Sequence, residues 1–182
     1  MIRIISGKWR GKKIAAPNTL PVRPTTDRAK EGLFNWLNFR IDFEGISVLD
    51  LFAGTGNIGY EFLSRGADQI VCIDEDKQCV AFMNKVFASL GANHTRAIQA
   101  RIPDELVKMR RSFDIIFADP PYSYAEYHQL ITQVTESELM HQKSWFILEH
   151  DGSLEFDTTP CFVETRKYGK VHFTFFTKNQ EA

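Results

Sequence analysis

Short apolar runs and amphipathic stretches alternate along most of this chain. The runs lie at 46–52 (ISVLDLF), 69–73 (QIVCI), 95–99 (TRAIQ), 113–118 (FDIIFA) and 144–149 (SWFILE), and the amphipathic stretches between them at 57–65, 76–90, 103–111 and 125–142. Runs buried on both faces and separated by helices predict a parallel sheet built from βα crossovers. Both ends break the rhythm. Residues 161–167 and 171–177 are strand-like runs around Tyr168-Gly169-Lys170 and predict an antiparallel hairpin with glycine in its turn. Residues 2–14 read as extended, with Gly7 and Gly11 as turn punctuation, and 15–25 as a connection rich in proline (Pro17, Pro21, Pro24). Thr26 or Asp27 can cap a helix running to about residue 39, whose apolar members Ala29, Leu33, Trp36 and Leu37 follow helical spacing. The expected fold class is α/β: a mostly parallel seven-stranded sheet closed by a C-terminal antiparallel hairpin, preceded by a small N-terminal β-hairpin. The expected division is 1–25, hairpin and linker, and 26–182, the main domain.

Composition narrows the class. The 182 residues, 43% hydrophobic and 25% charged, suit one globular domain with a proper core. There is no apolar run of about 18 residues and no signal-peptide h-region, so a cytoplasmic location is the default expectation. Cys72, Cys79 and Cys161 form neither a disulfide framework nor a zinc-ligand pattern, and the five histidines are scattered, so no metal is expected. The net charge of −1 conceals an asymmetry. Residues 1–30 carry eight cations (Arg3, Lys8, Arg10, Lys12, Lys13, Arg23, Arg28, Lys30) against one acid, Asp27, or +7, which leaves −8 on the remainder. A basic arm on an acidic body suggests a polyanion partner, because Lys and Arg on phosphates release counterions. A solvated charged hairpin is the competing reading.

Two motifs carry chemistry. The run 46–51 leads into Asp50-Leu51-Phe52-Ala53-Gly54-Thr55-Gly56-Asn57-Ile58-Gly59. Gly54 and Gly56 permit close approach of a ligand to the backbone, and a helix N-terminus follows. GTGNIG matches the dinucleotide pattern GxGxxG, but Asp50 lies four residues before the first glycine. A pyrophosphate disfavours a carboxylate there and an ammonium group favours it, so S-adenosylmethionine fits better than NAD. Asp74, which ends the next apolar run, can accept from both hydroxyls of a ribose, and the nearby Asp76 competes for that assignment. The second motif is Asp119-Pro120-Pro121-Tyr122, directly after FDIIFA. Two prolines stiffen the turn and remove two donors, leaving main-chain carbonyls as acceptors beside the Asp119 carboxylate. Tyr122 adds a flat face for stacking. Rigid acceptors beside an aromatic plate suit a base bearing an exocyclic NH₂. An ionised Asp can accept N1–H and N2–H₂ of guanine together, whereas an Asn amide would match adenine better.

With these residues in view, the chain resembles the bacterial RsmD-type methyltransferases, which modify a guanine N2 of small-subunit ribosomal RNA. The resemblance runs nearly the full length: RIISGKWRGKKI, RPTTDRAKEGLFNWL, VLDLFAGTGNIGYEFLSRGA, IDED, FADPPY and YGKVHFTFF. It implies a Rossmann-like class I methyltransferase using S-adenosylmethionine. The glycine loop, with Asp50, Phe52, Ala53, Gly54 and Gly56, would hold the methionine part, Asp74 the ribose, and Asp119, Pro120, Pro121 and Tyr122 the target amine. Thr26 and Arg28 would lie near the methionine end. Arg3, Lys8, Arg10, Lys12 and Lys13 would bind ribosomal RNA or a small-subunit assembly particle, with Trp9 either stacking on RNA or packing the hairpin down. Nothing in the sequence demands more than a monomer. One departure stands out: Gln99-Ala100-Arg101 lacks the Asp or Asn that similar enzymes often use for the adenine, leaving Gln99, a backbone carbonyl or Asp104. Three rival readings remain: a DNA adenine-N6 methyltransferase, an NAD-dependent oxidoreductase, and a non-catalytic RNA-binding module.

Overall fold

A computed structural model describes residues 1–17, 20, 25–121 and 123–179. Pro21, Arg23, Pro24 and Tyr122 lie outside the described residues.

Seven strands form the central sheet: β3 (Ser47–Leu51), β4 (Gln69–Asp74), β5 (Thr95–Gln99), β6 (Phe113–Ala118), β7 (Met140–His150), β8 (Phe162–Tyr168) and β9 (Val171–Thr177). Their spatial order is β5-β4-β3-β6-β7-β9-β8. The first five are parallel, and β9 and β8 add antiparallel at one edge. Helices α1 (Asp27–Asn38), α2 (Asn57–Ser64), α3 (Lys77–Ser89) and α4 (Tyr127–Thr135) complete the domain. None is long and apolar enough to cross a membrane. The central strands β3, β4 and β6 read as largely apolar runs because both of their faces are covered. Val48, Ile70, Ile115 and Ile147 pack with α1 to α3 on one side, and Leu49, Val71, Ile116 and Phe146 pack with α4 on the other.

Two stretches depart from expectation. Residues 103–111 form no α-helix, only a 3₁₀ turn at Leu106–Lys108. Leu106 is buried but Val107 is 59% exposed, so this stretch lacks an apolar stripe to seat on the sheet. Strand β7 also starts early, at Met140, through a register shift between Phe113 and Ile115. The buried Ser144 bridges that irregularity: its hydroxyl donates to the Phe113 carbonyl (2.6 Å) and accepts the His141 N–H (2.9 Å).

The N-terminal hairpin is a separate two-stranded sheet, β1 (Ile2–Arg3) and β2 (Lys13–Ile14), whose Ile2 and Ile14, with Ile4, are buried in the α1–α3 core. It docks on α2. The buried Glu61 accepts N–H bonds from Ile5 (2.9 Å) and Ser6 (3.0 Å), and the Lys8 N–H donates to the Ser64 carbonyl (2.6 Å). Gly7 sits at φ 81°, and a Cβ there would lie 1.8 Å from the Ser64 carbonyl oxygen, so this close approach requires glycine. The Trp9 ring is partly buried against the core, and the Trp9 backbone N–H donates to the Ser64 hydroxyl (3.0 Å).

Candidate active site

The chain steps from β3 outward to β4 and β5, then returns to place β6 and β7 on the other side of β3. Open α/β sheets bind ligands at such a reversal, outside the carboxyl ends of the strands. A cleft of about 1080 Å³ opens there.

Strand alternation determines what faces it. Asp50 is opposite Cys72 in β4 and Phe117 in β6, and Phe117 is opposite Ile147 in β7. Alternate residues share a face. The residues two further along, Asp74, Asp119 and Glu149, therefore emerge on the same side as Asp50, and all four carboxylates line the cleft. Four adjacent strands each carry an acid within one residue of their C-terminal end.

The environments of these acids differ. Asp50 is 2% exposed, and its Oδ2 accepts the Gly59 N–H of α2 (3.2 Å). Burial pushes its carboxyl up to about 8; the Gly59 bond pulls it back, and Asp74 and Glu149 push it further. Asp74 accepts the Gly54 N–H (2.7 Å) and the Asp76 N–H (2.9 Å), and burial still raises its carboxyl above the ordinary value. Asp76 accepts from the Gln78 and Cys79 N–H groups and is the N-cap of α3, which separates its job from that of Asp74. Asp119 accepts no hydrogen bond among the described residues, and burial, then Glu149 and Asp50, hold it well above its ordinary value. Glu149 is 7% exposed and accepts the Thr25 hydroxyl (3.0 Å); burial lifts it to about 7.

The glycine loop is sharply bent. Phe52 holds φ 58°, which is strained for a bulky residue, followed by Gly54 at 55° and Gly56 at 77°. The Phe52 ring meets Tyr124 edge-on, 5.3 Å between centroids, and forms an aromatic wall over the Asp119 turn. Pro120 and Pro121 line the cleft. The expectation that both proline carbonyls face outward needs correcting: Pro121 accepts the Tyr124 N–H (2.8 Å), closing the turn. Among the described residues no such bond engages the Pro120 carbonyl.

The remaining candidates divide. Thr26 caps α1 through the Ala29 N–H and lines the cleft, whereas Arg28 is exposed and does not line it. Gln99 donates to the Glu75 carbonyl, and neither it nor Asp104 lines the cleft; Ala100, Arg101 and Ile102 do. Arg3 pairs with Asp27 (2.8 Å), Lys8 lies 4.9 Å from the Trp9 ring centre, and Arg10, Lys12 and Lys13 are exposed. Sequence reasoning missed Glu149 and Thr25. The signal for Glu149 was present, since FILE ends an apolar run in an acid just as VLDL, VCID and IFAD come to one. Thr25 had none.

A rim of four carboxylates, Asp50 and Glu149 buried and Asp74 and Asp119 partly so, is complementary to a cation and hostile to a pyrophosphate. The NAD reading of GTGNIG therefore has no support in this cleft, whereas the ammonium and sulfonium groups of S-adenosylmethionine fit it.

Comparison with known proteins agrees. The family model "Conserved hypothetical protein 95" matches residues 2–177. The chain is 31% identical to ribosomal RNA small subunit methyltransferase D of Buchnera aphidicola over 179 residues, 96% of this chain and 91% of that protein. It is 32% identical to the putative rRNA methyltransferase YlbH of Bacillus subtilis, covering 97% and 99%. Among solved structures, the putative methyltransferase yhhF of Escherichia coli superposes with a TM-score of 0.85 at 29% identity, covering 98% of each chain.

The raised carboxyls predict a pH signature. A carboxyl whose pKa is higher folded than unfolded keeps a proton that the unfolded chain has released, so stability falls as pH rises through the folded value. His150, pushed down to about 4 by burial and by His172, acts with the opposite sign at lower pH. Between about pH 6.5 and 8.5 the melting temperature of the ligand-free protein should therefore decline, and Asp50→Asn should flatten the decline. A wild-type profile that is level or rising over that interval contradicts the assignment.

Proposed function

The chain belongs to the Cons_hypoth95 family, the RsmD-type S-adenosylmethionine-dependent methyltransferases, and from that premise we propose that it methylates the exocyclic N2 of a guanine in small-subunit ribosomal RNA. The observation that carries this reading is the Asp119-Pro120 turn. Its carboxylate and first proline carbonyl line the cleft wall, one strand from the glycine loop, and accept no hydrogen bond among the described residues.

In this proposal Asp50 takes the cofactor's ammonium group, Asp74 its ribose hydroxyls, and the backbone at Phe52, Ala53, Gly54 and Gly56 cradles the methionine part. S-adenosylmethionine, when bound, supplies an activated methyl group and leaves as a neutral thioether. The protein's own work is placement. Asp119 and the Pro120 carbonyl accept the two N–H bonds of the target amine, which draws its lone pair out of the ring and aims it into the cleft. No strong base is needed, because the nitrogen becomes acidic as its new bond forms, and its extra proton passes to water or to a rim carboxylate. Tyr122 supplies the stacking face for an unstacked base. Arg3, Lys8, Arg10, Lys12 and Lys13 form the RNA-binding face of the hairpin, residues 1–25, appended to the catalytic domain, residues 26–182.

Nucleoside mass spectrometry after incubation with ribosomal RNA, small-subunit particles or DNA should show N2-methylguanosine from RNA. N6-methyladenine in DNA would replace this reading with its nearest rival. Asp119→Ala should lower turnover at least about 10²-fold while adenosylhomocysteine affinity, measured by titration calorimetry, stays nearly unchanged; a matching loss of affinity would contradict the division of labour.

The hairpin carries a separate expectation. Replacing Lys12 and Lys13 by alanine should reduce the log–log salt slope of RNA binding by about 1.4, at about 0.7 per phosphate contact to single strands. An unchanged slope would return the arm to a solvated hairpin.

A further inference from the structure

Glu149 has no role in the proposal so far, yet it is a buried acid in the wall of the cleft. Its position is informative. Across the sheet the rim acids run Asp74, Asp50, Asp119, Glu149, on β4, β3, β6 and β7 in turn. The glycine loop lies at the β3–β4 end of that row. If the target amine is held at Asp119, the ring that bears it must extend to the far side, over the end of β7, where Glu149 is the next polar group.

The carboxylate is aimed. Its Oε2 accepts the Thr25 hydroxyl (3.0 Å), and no partner within the described residues takes Oε1. Thr25 is itself fixed, because the Asn57 amide donates to its carbonyl (3.1 Å). Asn57 in turn accepts from Lys30 Nζ (2.9 Å), which also donates to the Arg3 carbonyl (2.6 Å) and pairs with Glu61 at 3.5 Å. A chain of hydrogen bonds, buried at Lys30–Asn57 and partly buried elsewhere, thus holds one oxygen of a carboxylate that lines the cleft. Among the described residues no hydrogen bond engages the other oxygen.

Resting on the guanine reading above, we propose that Glu149 is a specificity residue that accepts the ring N1–H of the target guanine while Asp119 and the Pro120 carbonyl hold its N2 amine. Guanine presents these donors side by side, so two adjacent acceptors from neighbouring strands match its edge. Adenine presents an acceptor at N1, which a carboxylate repels. Glu149 therefore selects guanine by a favourable bond to the right base and an unfavourable contact with the wrong one.

The test uses 2-aminopurine, which keeps the 2-amine and lacks the N1–H. The probe is small-subunit ribosomal RNA carrying either guanine or 2-aminopurine at the position mapped by mass spectrometry of oligonucleotide fragments. Wild type should prefer guanine by at least about tenfold in kcat/KM, equivalent to about 1.4 kcal/mol. Glu149→Gln, which is isosteric and can turn an N–H toward the unprotonated N1, should lower the rate on guanine, raise that on 2-aminopurine, and bring the two within about threefold. Thr25→Val, which frees the carboxylate without removing it, should narrow the gap in the same direction by a smaller factor, and it carries the test if the glutamine variant fails to fold. Adenosylhomocysteine affinity reports an intact pocket in each variant. A wild-type ratio near one, or a ratio that neither variant narrows, overturns the role of Glu149 while leaving the methyltransferase reading in place. Absence of guanine methylation by wild type overturns that reading instead.

Discussion

Four carboxylates crowd one rim of one sheet, and most of the cleft follows from that constraint. Each acid stands at or next to the end of a strand, directly after an apolar run, so each is carried to the edge of the core with little water around it. Burial favours the protonated form, and mutual repulsion favours it further. Asp50 is driven to about 8 and Glu149 to about 7 by this environment. Only local N–H and hydroxyl donors offset the effect: Gly59 for Asp50, Gly54 and Asp76 for Asp74, and Thr25 for Glu149. A positively charged ligand relieves what these donors leave, and this is the physical basis for reading the cleft as a site for a sulfonium cofactor.

The same constraint ties the hairpin to the cleft. Lys30 is fully buried, and desolvation pulls its ammonium pKa down although Glu61 and Asp27 oppose the shift. It sits where three segments meet, donating to the hairpin backbone at Arg3 and to Asn57 at the start of α2. Glu61 completes the junction by accepting from Ile5 and Ser6. The basic arm is thus anchored by a buried ion pair that also supports the Thr25–Glu149 contact. Ion pairs of this kind contribute little net stability, but removing one partner leaves an uncompensated buried charge.

Much of this was legible in the sequence. The parallel sheet followed from apolar runs such as FDIIFA, because only strands covered on both faces avoid alternation. The glycine loop and DPPY were visible as strings, and position alone put them at strand ends. What stayed hidden depends on register. Glu149 joins Asp119 only because Ala118 is opposite Leu148 in β6 and β7, a pairing no local pattern announces. The Pro121 carbonyl is consumed by a turn that reaches forward to Tyr124. Residues 103–111 looked amphipathic, yet with one buried leucine and an exposed valine they gain too little burial to form a helix.

The account is tested most directly by counting protons as the cofactor binds. Titration calorimetry of S-adenosylmethionine into the wild-type protein at pH 7, repeated in buffers of different ionisation enthalpy, gives that count. A cation entering this rim lowers the carboxyl pKa values, so net proton release is expected, smaller for adenosylhomocysteine, whose sulfur is neutral. Net proton uptake, or a heat independent of buffer for both ligands, would contradict the claim that this acid-lined rim favours a cationic cofactor.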